Sequence, residues 1–349
     1  MEKDKKFLGT EPVGKLLLQL ALPTVAAQLI NMLYNIVDRI YIGHIPGEGA
    51  MALTGVGVCM PIIMIVSAFA ALVGYGGSPR ASIAMGKGDQ NEAEEILGNC
   101  LVLQVILSAI LTAVLLIWNR DFLMTFGASE NTIGYAVSYM NIYALGTIFV
   151  QLTLGMNSFI TAQGFARTGM LSVLIGAVCN IILDPILIFG FHMGVPGAAW
   201  ATIISQGLSG LFCLLFIWKK FPLLHISKED LTPKLCYIRT LLGMGLPMGL
   251  QTSITAIGSI LLQASVNGLG SIAVASVTTA SKIYMFFSCA YDAFGVAIST
   301  YGGQNIGANK PKRARTKVLH DCGHCVFNSR FSHPILFRQT SHAVVCGCQ

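Results

Sequence analysis

Two aspartates lie in stretches that are otherwise fit for lipid: Asp38 in NMLYNIVDRIYIG and Asp184 in CNIILDPILIFG. A carboxylate near the middle of a bilayer costs about 2.5–3.5 kcal/mol even on the gentler insertion scale, so each implies a partner or a task. Asn31, Tyr34, Asn35 and Asp38 follow at i, i+3, i+4 and i+7, which puts them on one helix face, with Gln28 extending the row by a turn. Asn180 and Asp184 stand at i and i+4, again on one face. Pro185 follows directly and predicts a kink that frees carbonyls beside Asp184. Two carboxylates, an amide and a nearby hydroxyl suit Na⁺, which like other hard cations prefers oxygen ligands. They suit a proton equally, because two adjacent buried carboxylates cannot both stay ionised cheaply.

Whether these side chains meet depends on the elements that carry them. The chain has 349 residues, of which 54% are hydrophobic and 11% charged. Mean hydropathy is +0.68, whereas soluble domains carry about 25% charged residues. A membrane protein with many spans follows, and eight apolar segments read as helices: 16–42, 51–76, 95–118, 135–158, 170–190, 197–218, 238–264 and 271–300. The first is too long for a signal h-region and has no A-x-A cleavage site, so it reads as a retained helix.

The net charge of +6 does not point to nucleic acid, because most Lys and Arg fall in alternate loops instead of on one face. That pattern predicts a cytoplasmic N-terminus, with odd-numbered helices running outward. Asp38 and Asp184 then both lie in the outer part, as does Thr202 near the start of the inward-running sixth helix. Asp38, Asn180, Asp184 and Thr202 are therefore the candidate cation site, whether for H⁺ or for Na⁺. Asn31, Tyr34, Asn35, Tyr139 and Asn157 are candidates to line a cavity, although Tyr139 and Asn157 fit interhelical hydrogen bonds as well. Arg39 offers Asp38 an alternative partner. Asp292 and Lys282 read as a structural or cavity-lining pair.

LALPTVAAQ (20–28) resembles MGLPMGLQ (244–251), and MGKGDQNEAE (85–94) matches IGANKPKRAR (306–315) in position and turn chemistry. Repeated halves are common in secondary transporters, with the substrate site between them. Gly86 and Gly307 read as turn residues of the paired loops. Asp38 has no acidic counterpart at Leu262 or Gln263, which confines the charge to the first half. The expected organisation is a first six-helix lobe at 1–218, a cytoplasmic linker at 219–237 and a partial second lobe at 238–317. The tail at 318–349 is rich in Cys and His. It holds CxxC (322–325) and CxC (346–348), which suit Zn, but it reads better as out-of-frame sequence, since the repeat predicts four further helices after 316. Cys59, Cys100, Cys179, Cys213, Cys236 and Cys289 read as packing residues and not disulfides.

No HExxH, GxSxG or GxxxxGK[ST] motif is present, so the chain reads as neither a hydrolase nor an ATP-driven pump. An intramembrane aspartyl protease would need a GxGD context, and Asp184 sits in ILDP.

LPTVAAQLINMLYNIVDRIYIG, the MGKGD loop, NSFITAQGFAR (157–167), NIILDP (180–185) and QNIGANKPKRAR (304–315) together resemble the multidrug and toxic compound extrusion (MATE) family, over residues 7 to about 317. The resemblance implies an all-α polytopic membrane protein of two six-helix lobes around a V-shaped cavity. It implies a secondary active antiporter in the inner (plasma) membrane, a monomer that exports small organic, often cationic, drug-like compounds in exchange for H⁺ or Na⁺. No cofactor beyond that ion is implied, and the only other partner is the lipid bilayer. The resemblance carries coupling-cation roles to Asp38, Asn180, Asp184 and Thr202, and cavity roles to Tyr34, Tyr139 and Asn157. A lipid or glycan flippase of related fold would need a basic, lipid-open cavity, and the first-half helices carry few cations. An inactive truncated fragment is the remaining alternative.

Overall fold

The structure, a computed structural model, describes residues 12–220, 232–268, 270–311 and 313. Among them are nine α-helices and no strand. In chain order these are α1 (Val13–Gly43), α2 (Gly49–Lys87), α3 (Gln90–Thr125), α4 (Ile133–Leu145), α5 (Thr147–Ala162), α6 (Ala166–Pro185), α7 (Val195–Lys220), α8 (Leu235–Asn267) and α9 (Ser271–Gly307). A π-helical turn, Ile186–Gly190, continues α6. The predicted Cys- and His-rich tail and the interior of the predicted linker lie outside the described residues.

Among the described residues, α1, α2, α3, α6 with its π turn, α7 and α9 are each long and apolar enough to cross a bilayer, and α4 with α5 makes a further, bent span. The remaining expected span coincides with α8. Several helices run well past their apolar windows: α2 has 39 residues, about 58 Å at 1.5 Å per residue, against a hydrocarbon layer of about 30 Å. Hydropathy marks only the part in lipid, whereas local caps set the ends. Asp89 caps α3, its side chain accepting from Glu92 N at 3.0 Å. Gly88 closes α2 in the left-handed region at φ +82°, where a Cβ is unfavourable.

The span expected over 135–158 is not one helix. It bends by 57° between α4 and α5. The break falls at Gly146, where the Ile203 side chain of α7 occupies the space that a Cβ would need. Pro185 lies within α6 with helical backbone angles, and the chain continues into the π turn as one span, Phe191 N donating to Ile186 O at 2.9 Å.

Buried apolar residues form three clusters. One, at the end where α1 passes to α2, includes Ile42, Cys59, Tyr139, Ile188 and Ala198. Another, at the opposite end, joins Val73, Ile96, Phe159 and Ile217 to Leu241 of α8. The third seats Leu16, Leu17 and Leu20 of α1 against Ala297 and Tyr301 of α9. Between the first two, polar side chains tie helices together: Gln151 donates to Val66 O at 3.0 Å, Thr153 to Gln206 O at 2.8 Å and Thr112 to Ala144 O at 2.8 Å. In lipid such bonds, with close packing, hold a bundle whose outer surface is greasy; Ile117 and Trp218 lie on that outer surface, 67% and 73% exposed.

The helices after the linker pack on the first half, α8 on α2 and α9 on both α1 and α2. Gly86 and Gly307 are not turn residues. Both are helical, and each faces the other helix's backbone, Gly86 against Gln304 O and Gly307 against Ile83 O. The turn residues stand two positions on, Gly88 at φ +82° and Asn309 at φ +54°. The two turns carry the same bonds: Gly88 N to Met85 O (3.1 Å) and Asp89 N to Ala84 O (3.0 Å) match Asn309 N to Ile306 O (3.0 Å) and Lys310 N to Asn305 O (2.8 Å). Another expectation fails at Cys236, which is disulfide-bonded, while Cys59, Cys100, Cys179, Cys213 and Cys289 are free.

Candidate functional site

The polar row on α1 lies against α6, the helix with which α1 packs most extensively. Asn35 turns its amide to its own helix, Nδ2 donating to Asn31 O at 2.6 Å, and also lies beside the Tyr34 hydroxyl. Asn31, Tyr34, Asn35 and Asp38 are all half-buried. On α6, Asn180 and Asp184 are 1% and 0% exposed. Their spacing of one turn lets Asn180 Nδ2 donate to Asp184 Oδ1 at 3.3 Å.

The Asp38 and Asp184 carboxyl groups come within hydrogen-bonding reach of each other. Tyr34 and Tyr139 both stand close enough to feel the Asp38 charge. Tyr139 lies beside the Thr202 hydroxyl, which itself donates to Ala198 O at 3.0 Å. The structure thus brings Asp38, Asn180, Asp184, Thr202, Tyr34 and Tyr139 into one constellation drawn from α1, α4, α6 and α7. Arg39 is half-buried and its charge reaches Asp38.

The constellation is rich in acceptors and poor in donors. Asp38 Oδ1, Asp184 Oδ2 and Asn180 Oδ1 are buried and have no hydrogen-bond partner. Two ionised carboxylates cannot satisfy each other, and two like charges about 4 Å apart repel by about 4 kcal/mol at an effective dielectric of about 20. A proton shared between the carboxyls removes that repulsion, and so does a small metal cation among the three oxygens. The residues present therefore fit a monovalent cation, and the chemistry available is reversible binding, with no nucleophile or leaving group involved.

Asn157 stands elsewhere. Its Nδ2 donates to Gly169 O at 2.8 Å and to Ser172 Oγ at 2.6 Å, and Thr161 Oγ1 lies 3.5 Å from its Oδ1. Ser172 is about 18 Å along α6 from Asp184, so this amide joins α5 to α6 and is not part of the carboxylate group. Asp292 is exposed and lies near Tyr75, and the Lys282 side chain lies outside the described residues.

Gln206 was missed by the sequence reading. Its side chain lies beside the Tyr34 hydroxyl, and its Oε1 is buried without a partner. A signal was present: Gln206 is one turn beyond Thr202 on α7, hence on the same face. Tyr143 was missed as well. It stacks on Tyr139 with ring centroids 6.3 Å apart.

The fold and the sequence have known relatives. A multidrug export protein, MepA, of Staphylococcus haemolyticus is 26% identical over 287 residues, covering 82% of this chain and 63% of its own length. An FAD transporter of Shewanella oneidensis is 26% identical over 325 residues, covering 91% of this chain and 70% of its own. The chain thus spans somewhat under two thirds of the length of the MepA relative. A multidrug resistance MATE family transporter of the MOP superfamily, solved in an outward-facing conformation, superposes with a TM-score of 0.82 at 26% identity, over 89% of this chain and 69% of that one. The MatE family model matches residues 23–186 and 247–321, which takes in most of α1, all of α2 through α6, most of α8 and all of α9. By that match, and by the fold that accompanies it, the chain belongs to the MatE family.

Proposed function

We propose that this chain forms the ion-binding lobe and part of the second lobe of a secondary active antiporter, which exports small organic, often cationic, compounds in exchange for H⁺ or Na⁺. The observation that carries the reading is the group of three buried, partnerless oxygens on Asp38, Asp184 and Asn180. Thr202, Tyr34 and Tyr139 flank it, and Asn31 and Asn35 continue the α1 face on which a substrate would travel. The loop charges favour an inner-membrane protein with its N-terminus in the cytoplasm, so that the site lies toward the outer face. The lobe boundaries follow at 1–218 and 238–317, joined by 219–237. The cation drives the cycle only through unequal affinity for the outward- and inward-facing states. When it binds, the carboxylate repulsion disappears, and α1 and α6 can close on each other. The export activity of the MepA relative supports the substrate class.

The test is Asp38→Asn. Cells producing the variant should lose efflux of a cationic dye while the protein stays in the membrane at its usual level. Unchanged efflux by that variant would defeat the site assignment. A parallel arm with labelled FAD decides between cationic and anionic cargo, and labelled-lipid translocation tests the flippase alternative.

A further inference from the structure

A cavity of about 610 Å³ lies at the end of the bundle where α1 passes to α2, lined among others by Ile45, Glu48, Tyr135, Ser138, Ile188 and Val195. Its lining residues stand in register with the carboxylate site. Ile45 stands two residues past the end of α1, in the connection to α2, and Ile188 follows Asp184 by about one turn in the π-helical segment. Tyr135 precedes Tyr139 by one turn on α4, and Val195 precedes Thr202 by two turns on α7. On α4, on α6 with its π turn and on α7, residues so spaced share a helix face, so these helices carry both the site and the cavity wall, and the α1–α2 connection completes that wall.

The partition between them is thin and apolar. Ile42 and Ala198 are each one turn outward from Asp38 and Thr202 and are fully buried, while Ile188 is 3% exposed; all three belong to one packed cluster with Tyr139. One helical turn rises about 5.4 Å. Pro185 has no N–H to donate, and the α-helical ladder passes into the π turn where it crosses the wall. The cavity itself is polar at its rim: the Tyr135 hydroxyl lies beside the Glu48 carboxylate, and both Glu48 and His192 are exposed. At about 30 Å³ of liquid per water, the volume holds a hydrated ion with several waters.

We propose that this cavity is an outer vestibule of the Asp38–Asp184 pocket, through which a small hydrated cation reaches the carboxylates inside the first lobe, separately from the organic substrate. Glu48 attracts the cation at the mouth, and the Ile42–Ile188–Ala198 layer is the barrier that it crosses as it sheds water. The inference rests on the reading of Asp38 and Asp184 as the cation site.

The experiment uses the full chain in lipid vesicles, with Ile45→Cys, or Ser138→Cys as a second wall position, modified after folding by a bulky, impermeant thiosulfonate. The infrared carboxyl band of the buried aspartates is followed after a rapid jump in Na⁺ or pH. Modification should slow the response at least tenfold and leave its final amplitude and the dye-binding Kd within twofold. Complete modification, verified by mass, with an unchanged rate at both positions overturns the vestibule. A vestibule failure of that kind leaves the ion site intact, because the band still responds in the unmodified chain and is lost in Asp38→Asn. Absence of any response in the unmodified chain overturns both.

Discussion

Asp184 spends one carboxyl oxygen on Asn180 and leaves the other without a donor beside Asp38. Asp184→Asn removes the like-charge repulsion and supplies an N–H to Asp38, so the variant should fold at least as stably as the parent. It should also lose cation binding. A ligand that binds only the folded state raises stability by RT ln(1 + [L]/Kd). The parent should therefore gain thermal stability as Na⁺ is added, or as pH falls, whereas the variant's midpoint should stay level. A cation affinity that falls less than about tenfold, or about 1.4 kcal/mol, would remove Asp184 from the ligand set. At this scale the sequence was informative about residue type. An aspartate among NIIL and PILI has few inexpensive roles in lipid, and i, i+4 spacing is enough to pair it with Asn180. The partners of Asn157 and Gln206 were not legible. Both are amides on apolar helices; one is saturated by Gly169 and Ser172 and the other keeps a free oxygen, a difference set by which helix happens to face each.

Helix ends and helix crossings obey different rules. Gly88 and Asn309 close α2 and α9 by matching backbone bonds in the left-handed region, whereas Gly86 and Gly307 let the two helices touch backbone to backbone. Gly307→Ala should therefore cost about 1–3 kcal/mol, as overpacking does, because its Cβ meets the Ile83 carbonyl and not a flexible side chain. Gly88→Ala has open space around it and should cost only the roughly 1–2 kcal/mol of a left-handed residue with a Cβ. Thermal unfolding in detergent measures both. Gly307→Ala should also widen the α2–α9 spacing between spin labels, and Gly88→Ala should not. A sequence reading that sees glycine and a polar loop assigns the turn to the first glycine; only the neighbouring helix shows which glycine must lack a side chain.

The two halves meet where α9 crosses α2. Ala162 O, at the end of α5, accepts from Ser82 Oγ of α2 at 3.1 Å and from Gln304 Nε2 of α9 at 3.2 Å. Gln304 lies beyond the 219–237 segment, so this bond ties the helices after that segment to α5. Gln304→Leu keeps the volume and removes the donor. Spin labels at the ends of α2 and α9 should then show a second, longer distance, since repeat halves of transporters rock about the shared site. A single unchanged distance would mean that apolar packing alone holds this end closed. Sequence by itself determined that the chain is a polytopic helical membrane protein and that Asp38 and Asp184 lie within its spans. The physical reason is that lipid forces each span to satisfy its backbone locally, so span and face are written in short-range pattern. Tertiary structure alone decided the break at Gly146, the π turn after Pro185, the role of each glycine and, above all, which buried oxygens are left without a donor. Those depend on which neighbour arrives from a distant part of the chain, and no local periodicity encodes that.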